Sequence, residues 1–188
     1  MKRLDIEGID SIVRSERLRL EPLRPEHAEA LFPMFCQPRV YDWISLRAPA
    51  SADRLAARWR TLALERTEPR AEYGFGWAVR RELDGAWLGK LDADVRADGV
   101  AGNVGYLFDP GYWGQGYASE AVSALARHLE RHGVHEQWAT VTVGNKASMR
   151  VLGRAGFIQT RVLKGNDTIR GVAMDDVEFV RRAADAPG

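Results

Sequence analysis

The stretch Tyr106-Leu107-Phe108-Asp109-Pro110-Gly111-Tyr112-Trp113-Gly114-Gln115-Gly116-Tyr117-Ala118-Ser119-Glu120 passes from a strand through a glycine-rich turn directly into a helix. That succession makes an anion site. Gly114 and Gly116 remove the side chains that would keep a ligand off the backbone, and the first free N–H groups of the helix point into the turn with the positive end of its dipole. A phosphate or pyrophosphate fits such a place. Two better-known phosphate loops fail on spacing. A Walker A loop needs Gly-Lys-Ser/Thr where this chain has Gly116-Tyr117-Ala118, and the dinucleotide fingerprint needs a third Gly or Ala where it has Ser119.

Outward from that turn, Ala118, Ala121, Val122, Leu125 and Leu129 form one apolar stripe, so a long helix is predicted over Tyr117 to His132, with Gly133 stopping it. A β-branched strand over Gln137 to Val143, a short helix over Ala147 to Ala155 and strands around Phe157 to Leu163 and Val172 to Val180 follow. Upstream, Phe75 to Leu83 and Ala86 to Val95 flank an Asp84-Gly85 turn and read as a hairpin, with a further strand over Asn103 to Phe108. Arg17 to Leu23 alternates charged and apolar residues until Pro22, as an edge strand does. Between them lie a short helical segment broken by Pro33 and Pro38, a loop around Tyr41, Asp42 and Trp43, and a helix capped by Ser51 and ended by the polar stretch Thr67 to Glu72. A single domain over residues 15–182 is expected, with loose ends over 1–14 and 183–188.

The 188 residues are 45% hydrophobic and 28% charged, the composition of a globular domain, and a net charge of +1 supplies no field for nucleic acid or an anionic membrane. Cys36 is the only cysteine, so neither an intrachain disulfide nor a cysteine-based zinc site is available. No apolar run near Met1 is long enough for export or anchoring. A cytoplasmic protein, monomeric or homodimeric, is expected. His128 and His132 have the spacing of a two-histidine site but lack the His-Glu-x-x-His order, and no metal is expected. Trp43, Trp59, Trp77, Trp87 and Trp138 read as core packing.

The blocks Arg17 to Leu20, Gly105-Tyr106, Tyr112 to Ala121, Asn145-Lys146-Ala147-Ser148 and Gly156-Phe157, in this order, resemble the GNAT superfamily of acetyl-CoA-dependent N-acetyltransferases. The closest look is to its ribosomal-protein N-terminal acetyltransferase-like branch. The resemblance implies an α/β fold with a central, mixed, mostly antiparallel sheet of about seven strands and roughly four flanking helices. It also implies that acetyl-CoA is the co-substrate and an amine the acceptor. The backbone of Leu107 and Phe108 would pair with the pantetheine arm. The loop of Trp113, Gly114, Gln115, Gly116, Tyr117, Ala118 and Ser119 would hold the pyrophosphate, and Asn145 and Ser148 would lie near the thioester end.

For catalysis, the Leu107 N–H is the expected oxyanion donor and the Ser148 hydroxyl, or a water, the expected acid. Many family members carry a tyrosine acid where this chain has Leu152, and the branch often has a Glu where it has Asn103; neither residue can do that work. Asp92, Asp94, Glu72, Tyr41 and Asp42 read as solvated residues, and no base is named. Asn145 also reads as a plain N-cap for the helix bearing Ser148. Arg39 and Arg47 against Asp42 in the segment Pro33 to Pro49 favour a neutral or acidic peptide N-terminus over a polycation. A small-amine acetyltransferase and a non-catalytic CoA-binding or acyl-CoA-sensing module are the competing readings.

Overall fold

The computed structural model describes residues 3–65 and 71–183. Its strands are β1 (Val13–Arg14), β2 (Leu18–Pro22), β3 (Glu72–Arg81), β4 (Trp87–Arg96), β5 (Val100–Phe108), β6 (Glu136–Thr142), β7 (Ile158–Ile169) and β8 (Val172–Arg182). They make one sheet in the order β1-β2-β3-β4-β5-β6-β8-β7. Eight strands agree with the expected about seven, the additional one being β1, which is too short to register as an alternation. The helices are α1 (Ile6–Ile9), α2 (Ala28–Phe35), α3 (Ala52–Glu65), α4 (Tyr117–Arg131) and α5 (Lys146–Arg154). None of the described helices is long and apolar enough to cross a membrane.

Every strand contact is antiparallel except that of β5 with β6. That parallel ladder holds only Val100 with Glu136 and Ala101 with Gln137. The register of β4 on β5 jumps from Asp94–Asn103 to Val95–Ala101, which leaves Gly102 as the extra residue of a bulge. A bulge bends its strand and adds twist. β5 therefore leaves β6 immediately after their last pair, and the two strands open into a fork.

Two apolar layers cover the sheet. On one face Leu91, Ala93, Val104 and Phe108 pack against Ala121, Val122, Leu125 and Leu129 of α4 and Leu152 of α5. On the other, Leu23, Ala78 and the α2 and α3 residues Leu31, Phe35, Leu55 and Trp59 form a second cluster, with Leu107 against it. Ser51 caps α3 as expected, its Oγ accepting from the Arg54 N–H at 3.2 Å. The end expected for α3 falls mostly on residues outside those described.

Residues 3–14, expected to be loose, are instead packed. Ile9 and Val13 are buried, the Asp5 N–H donates to the His132 carbonyl at 2.9 Å, and the Trp77 indole N–H donates to the Ser11 carbonyl at 3.3 Å. His128 and His132 hold the same segment: His128 Nε2 lies 3.1 Å from the Ile9 carbonyl and His132 Nδ1 lies 2.9 Å from Asp5 Oδ2. The expected tail beyond Ala183 lies outside the described residues. β7 runs to Ile169, past its expected end at Leu163. Most of its side chains face solvent, so the stretch carries no apolar alternation to read. Of the tryptophans expected in the core, Trp43, at 39% exposed, and the half-buried Trp138 lie outside either core cluster.

Candidate active site

The turn between β5 and α4 is built by local bonds. Asp109 Oδ1 accepts from the Gly111 N–H at 2.8 Å, setting the 3-10 turn Pro110–Tyr112. Trp113 then folds back so that its indole N–H donates to the Phe108 carbonyl at 2.8 Å. Gly114 and Gly116 follow with φ of 78° and 84°, backbone that side-chain-bearing residues rarely adopt. A Cβ at Gly114 would meet nothing within 4 Å. Gly116 is the N-cap of α4 and offers no side chain to it. After Trp113, whose N–H donates to the Pro110 carbonyl, the next bonded N–H is that of Glu120, 3.1 Å from the Gly116 carbonyl. Among the described residues, the backbone N–H groups from Gly114 through Ser119 thus have no acceptor. These open N–H groups lie at the turn where the glycine spacing leads one to expect anion donors, and the residues fit a phosphate-bearing cofactor.

Arg17 fixes this loop to β2. Its Nε lies 2.7 Å from Glu120 Oε2 and its Nη1 donates to the Gln115 carbonyl at 3.2 Å, while Ser15 donates to Glu120 Oε1 at 2.7 Å. Burial works to raise the Glu120 pKa, but the Arg17 N–H, the Ser15 hydroxyl and the guanidinium outweigh it and hold the carboxyl below its ordinary value.

The edge of β5 at the fork corrects one expected role. The Asp109 N–H donates to the Leu88 carbonyl at 2.8 Å, and bonded pairs in an antiparallel ladder recur at every second residue. With Gly89 opposite Phe108 and Lys90 opposite Leu107, the Leu107 N–H turns onto β4 and the N–H groups of Tyr106 and Phe108 turn to the fork. The Leu107 N–H is therefore turned away from the fork and cannot serve there as an oxyanion donor, whereas the Phe108 N–H faces the fork. The Phe108 carbonyl is already taken by Trp113, so this residue offers a strand-like partner only its N–H.

α5 begins on the other side of the fork. Asn145 Oδ1 accepts from the Ser148 N–H at 3.1 Å, a side-chain N-cap. The Ser148 Oγ lies 2.6 Å from the hydroxyl of Tyr106, a contact between residues 42 positions apart that no sequence spacing announces. Leu152 is fully buried in the core, so its position faces away from solvent as well as lacking a proton.

The segment after α2 roofs the fork from the α2–α3 side. Arg39 stacks its guanidinium 5.0 Å from the Trp113 ring, the Trp43 carbonyl accepts from Thr142 Oγ1 at 3.1 Å, and Asp42 pairs with Arg170 at 3.1 Å. A cavity of about 330 Å³ lies between this segment and the β7–β8 turn, lined by Tyr41, Arg47, Thr168 and Arg170 among others. On the same sheet face Asp92 lies between Gly76 and Gly105, and Asp94 between Gly74 and Asn103. Asp92 is ion-paired with Lys90. Burial, then the charges of Asp92 and Glu72, raise the Asp94 carboxyl above its ordinary pKa, against a hydrogen bond from Asn103.

A sheet forked between two parallel strands, with an uncapped glycine turn at its mouth, is the framework of an acyl-carrier-dependent transferase. Residues 17–158 match the family model of the acetyltransferase (GNAT) domain, and the chain belongs to that family and is an acyltransferase enzyme. An uncharacterized N-acetyltransferase of Bacillus subtilis, YoaA, is 27% identical over 155 residues, spanning 81% of this chain and 86% of that protein. Among solved structures, RimJ of Mycobacterium smegmatis in complex with CoA-disulfide superposes with a TM-score of 0.83 at 23% identity, over 96% of this chain and 91% of that one. The ribosomal-protein-S5-alanine acetyltransferase of Vibrio fischeri gives 0.81 at 19%, over 94% and 98%. These likenesses show the shared fold, with ribosomal-protein acetyltransferases among its neighbours.

Proposed function

We propose that the fork binds acetyl-CoA and that the enzyme acetylates the N-terminal α-amine of a neutral or acidic peptide or protein. The observation that carries the first half is the unbroken run of unpaired N–H groups from Gly114 through Ser119 at the uncapped end of α4. Trp113, Gly114, Gln115, Gly116, Tyr117, Ala118 and Ser119 hold the pyrophosphate in this reading. The free β5 edge at Tyr106 and Phe108 takes the pantetheine arm, with Leu107 behind it as packing, and Asn145 and Ser148 flank the thioester.

Bound there, acetyl-CoA supplies an activated acetyl group. The Phe108 N–H donates to the carbonyl oxygen as negative charge develops on it, and the Ser148 hydroxyl donates to the departing sulfur. The amine enters neutral, having given its proton to water, and the loop holds the reactants in line; such preorganisation replaces much of what a strong base would do. A cytoplasmic setting goes with this reading, supported by a chain with a single cysteine.

The acceptor half rests on Arg47, which lines the cavity where Asp42 and Arg170 pair with each other, and on Arg39, which lies over Trp113 at the loop. A mouth of that charge repels polyamines. Free-thiol release from acetyl-CoA, measured with a neutral N-terminal peptide, an acidic one and spermidine, tests both halves. The peptides are expected to exceed spermidine in kcat/KM by at least about tenfold. A clear preference for spermidine overturns the acceptor, and silence with every amine overturns the activity.

A further inference from the structure

Tyr106 reaches from β5 across the floor of the fork to the first turn of α5. Its hydroxyl oxygen lies 2.6 Å from Ser148 Oγ and 3.1 Å from the Ser148 carbonyl oxygen, and its ring packs against the core between sheet and α4. Burial pushes its phenol up to about 12, with the Ser148 hydrogen bond working in the opposite direction. The phenol is therefore protonated throughout the neutral range, with one proton and two acceptors in reach.

The Ser148 N–H is committed to Asn145, which fixes where its side chain starts, but the hydroxyl rotor itself is free. Two arrangements satisfy the pair. In one, Ser148 donates to the phenol and the phenol to the Ser148 carbonyl. In the other, the phenol donates to Ser148 Oγ, and the serine proton turns away from Tyr106. Passing between them needs only two hydroxyl rotations and leaves neither oxygen without a partner, so exposing the serine proton costs little.

We propose that Tyr106 is the positioning residue that turns the Ser148 hydroxyl proton onto the sulfur of CoA as the thioester C–S bond breaks. The inference rests on the acetyl-transfer reading above. Ser148 gives its proton to the sulfur, on which the C–S electron pair is left, and takes the phenol proton in return. The amine, whose lone pair makes the C–N bond, releases one proton to water. The phenol regains one from water through Ser148, so protons balance over the cycle.

The test is the titration of the thiol of CoA bound to the wild type, Tyr106→Phe, Ser148→Ala and the double variant, read by thiolate absorbance, alongside kcat and KM with a peptide acceptor. Tyr106→Phe keeps the ring and its packing, and melting temperature checks the fold. Each single variant is expected to raise the bound thiol's pKa by about one unit and lower kcat about tenfold, with the KM for acetyl-CoA within about twofold. The double variant is expected to fall no further than Ser148→Ala, because the phenol acts through the serine. A bound thiol and a kcat unmoved by Tyr106→Phe, or single effects that multiply in the double, overturn the proposal. A thiol that responds while no amine is acetylated keeps the pair and sinks the acetyl-transfer reading; failure to bind CoA at all overturns both.

Discussion

Helices α4 and α5 direct their N-termini at the same fork and satisfy them in opposite ways. At α4 the capping position is Gly116, with φ 84° and no side chain, and the N–H groups from Gly114 through Ser119 are left open. At α5 the cap is Asn145, whose amide oxygen closes on the Ser148 N–H, and what the helix offers the fork is a hydroxyl. Each choice has a stability consequence. A glycine cap costs a helix only about a few tenths of a kcal/mol against a side-chain cap, which the long apolar stripe of α4 offsets, whereas α5 is short and keeps its side-chain cap. An unsatisfied terminus on a well-packed helix thus marks a site for charge, and a satisfied one on a short helix marks a support.

The largest expected effect comes from filling the open terminus. Gly116→Val places a β-branched side chain at φ 84°, a backbone conformation that side-chain-bearing residues rarely adopt. Affinity for CoA, measured by calorimetry on the folded variant, is expected to fall at least about 100-fold, since several N–H donors lose their aim together. Unchanged affinity would mean that the two termini do not differ in function.

This contrast was only half legible in the sequence. Glycine spacing alone placed the α4 turn, because Gly114 and Gly116 punctuate a strand-to-helix passage whose flanks alternate and repeat correctly. Asn145 as a cap was legible for the same reason: its partner is three residues away. Tyr106 meeting Ser148 was not, since the contact spans 42 positions and depends on how far β5 swings from β6. The choice between Leu107 and Phe108 turns on the phase of one ladder, fixed by a single bond from the Asp109 N–H to the Leu88 carbonyl. The packing of the N-terminal segment is not legible in the sequence because its anchors, Trp77, His128 and His132, belong to distant elements.

The closed terminus gives the next effect. Asn145→Ala removes a cap worth about 1 kcal/mol, so the melting temperature is expected to drop by about 2–4 °C for a domain of this size. CoA affinity is expected to stay within about threefold, and Asn145→Asp, which also caps, is expected to restore the melting temperature. A tenfold loss of affinity at constant melting temperature would place the Asn145 side chain on the ligand and erase the contrast with α4.

The smallest effect lies at the far end of α4 and asks whether its C-terminal half, which holds the N-terminal segment, is independent of the open N-terminus. His128 is buried, and burial lowers its pKa below the ordinary histidine value, with the Ile9 carbonyl opposing and the positive charges of His132 and Arg131 adding to the decrease. The unfolded chain binds a proton at this residue near about pH 6.5, while the folded chain resists it to lower pH. Between those two values the unfolded state holds more protons, so stability rises with pH. The contribution is fully present above about pH 6.5 and drains away as pH falls through the folded-state value. His128→Gln keeps a donor for the Ile9 carbonyl and does not titrate. The wild type is therefore expected to lose more thermal stability than this variant between about pH 7 and 5, followed by thermal melts. CoA affinity at pH 7 is expected to be the same for both, because the Gly116 turn lies at the opposite end of the helix. Parallel melting curves would show that His128 does not titrate across folding in this range, and a shared loss of CoA affinity would show that the two ends of α4 are coupled.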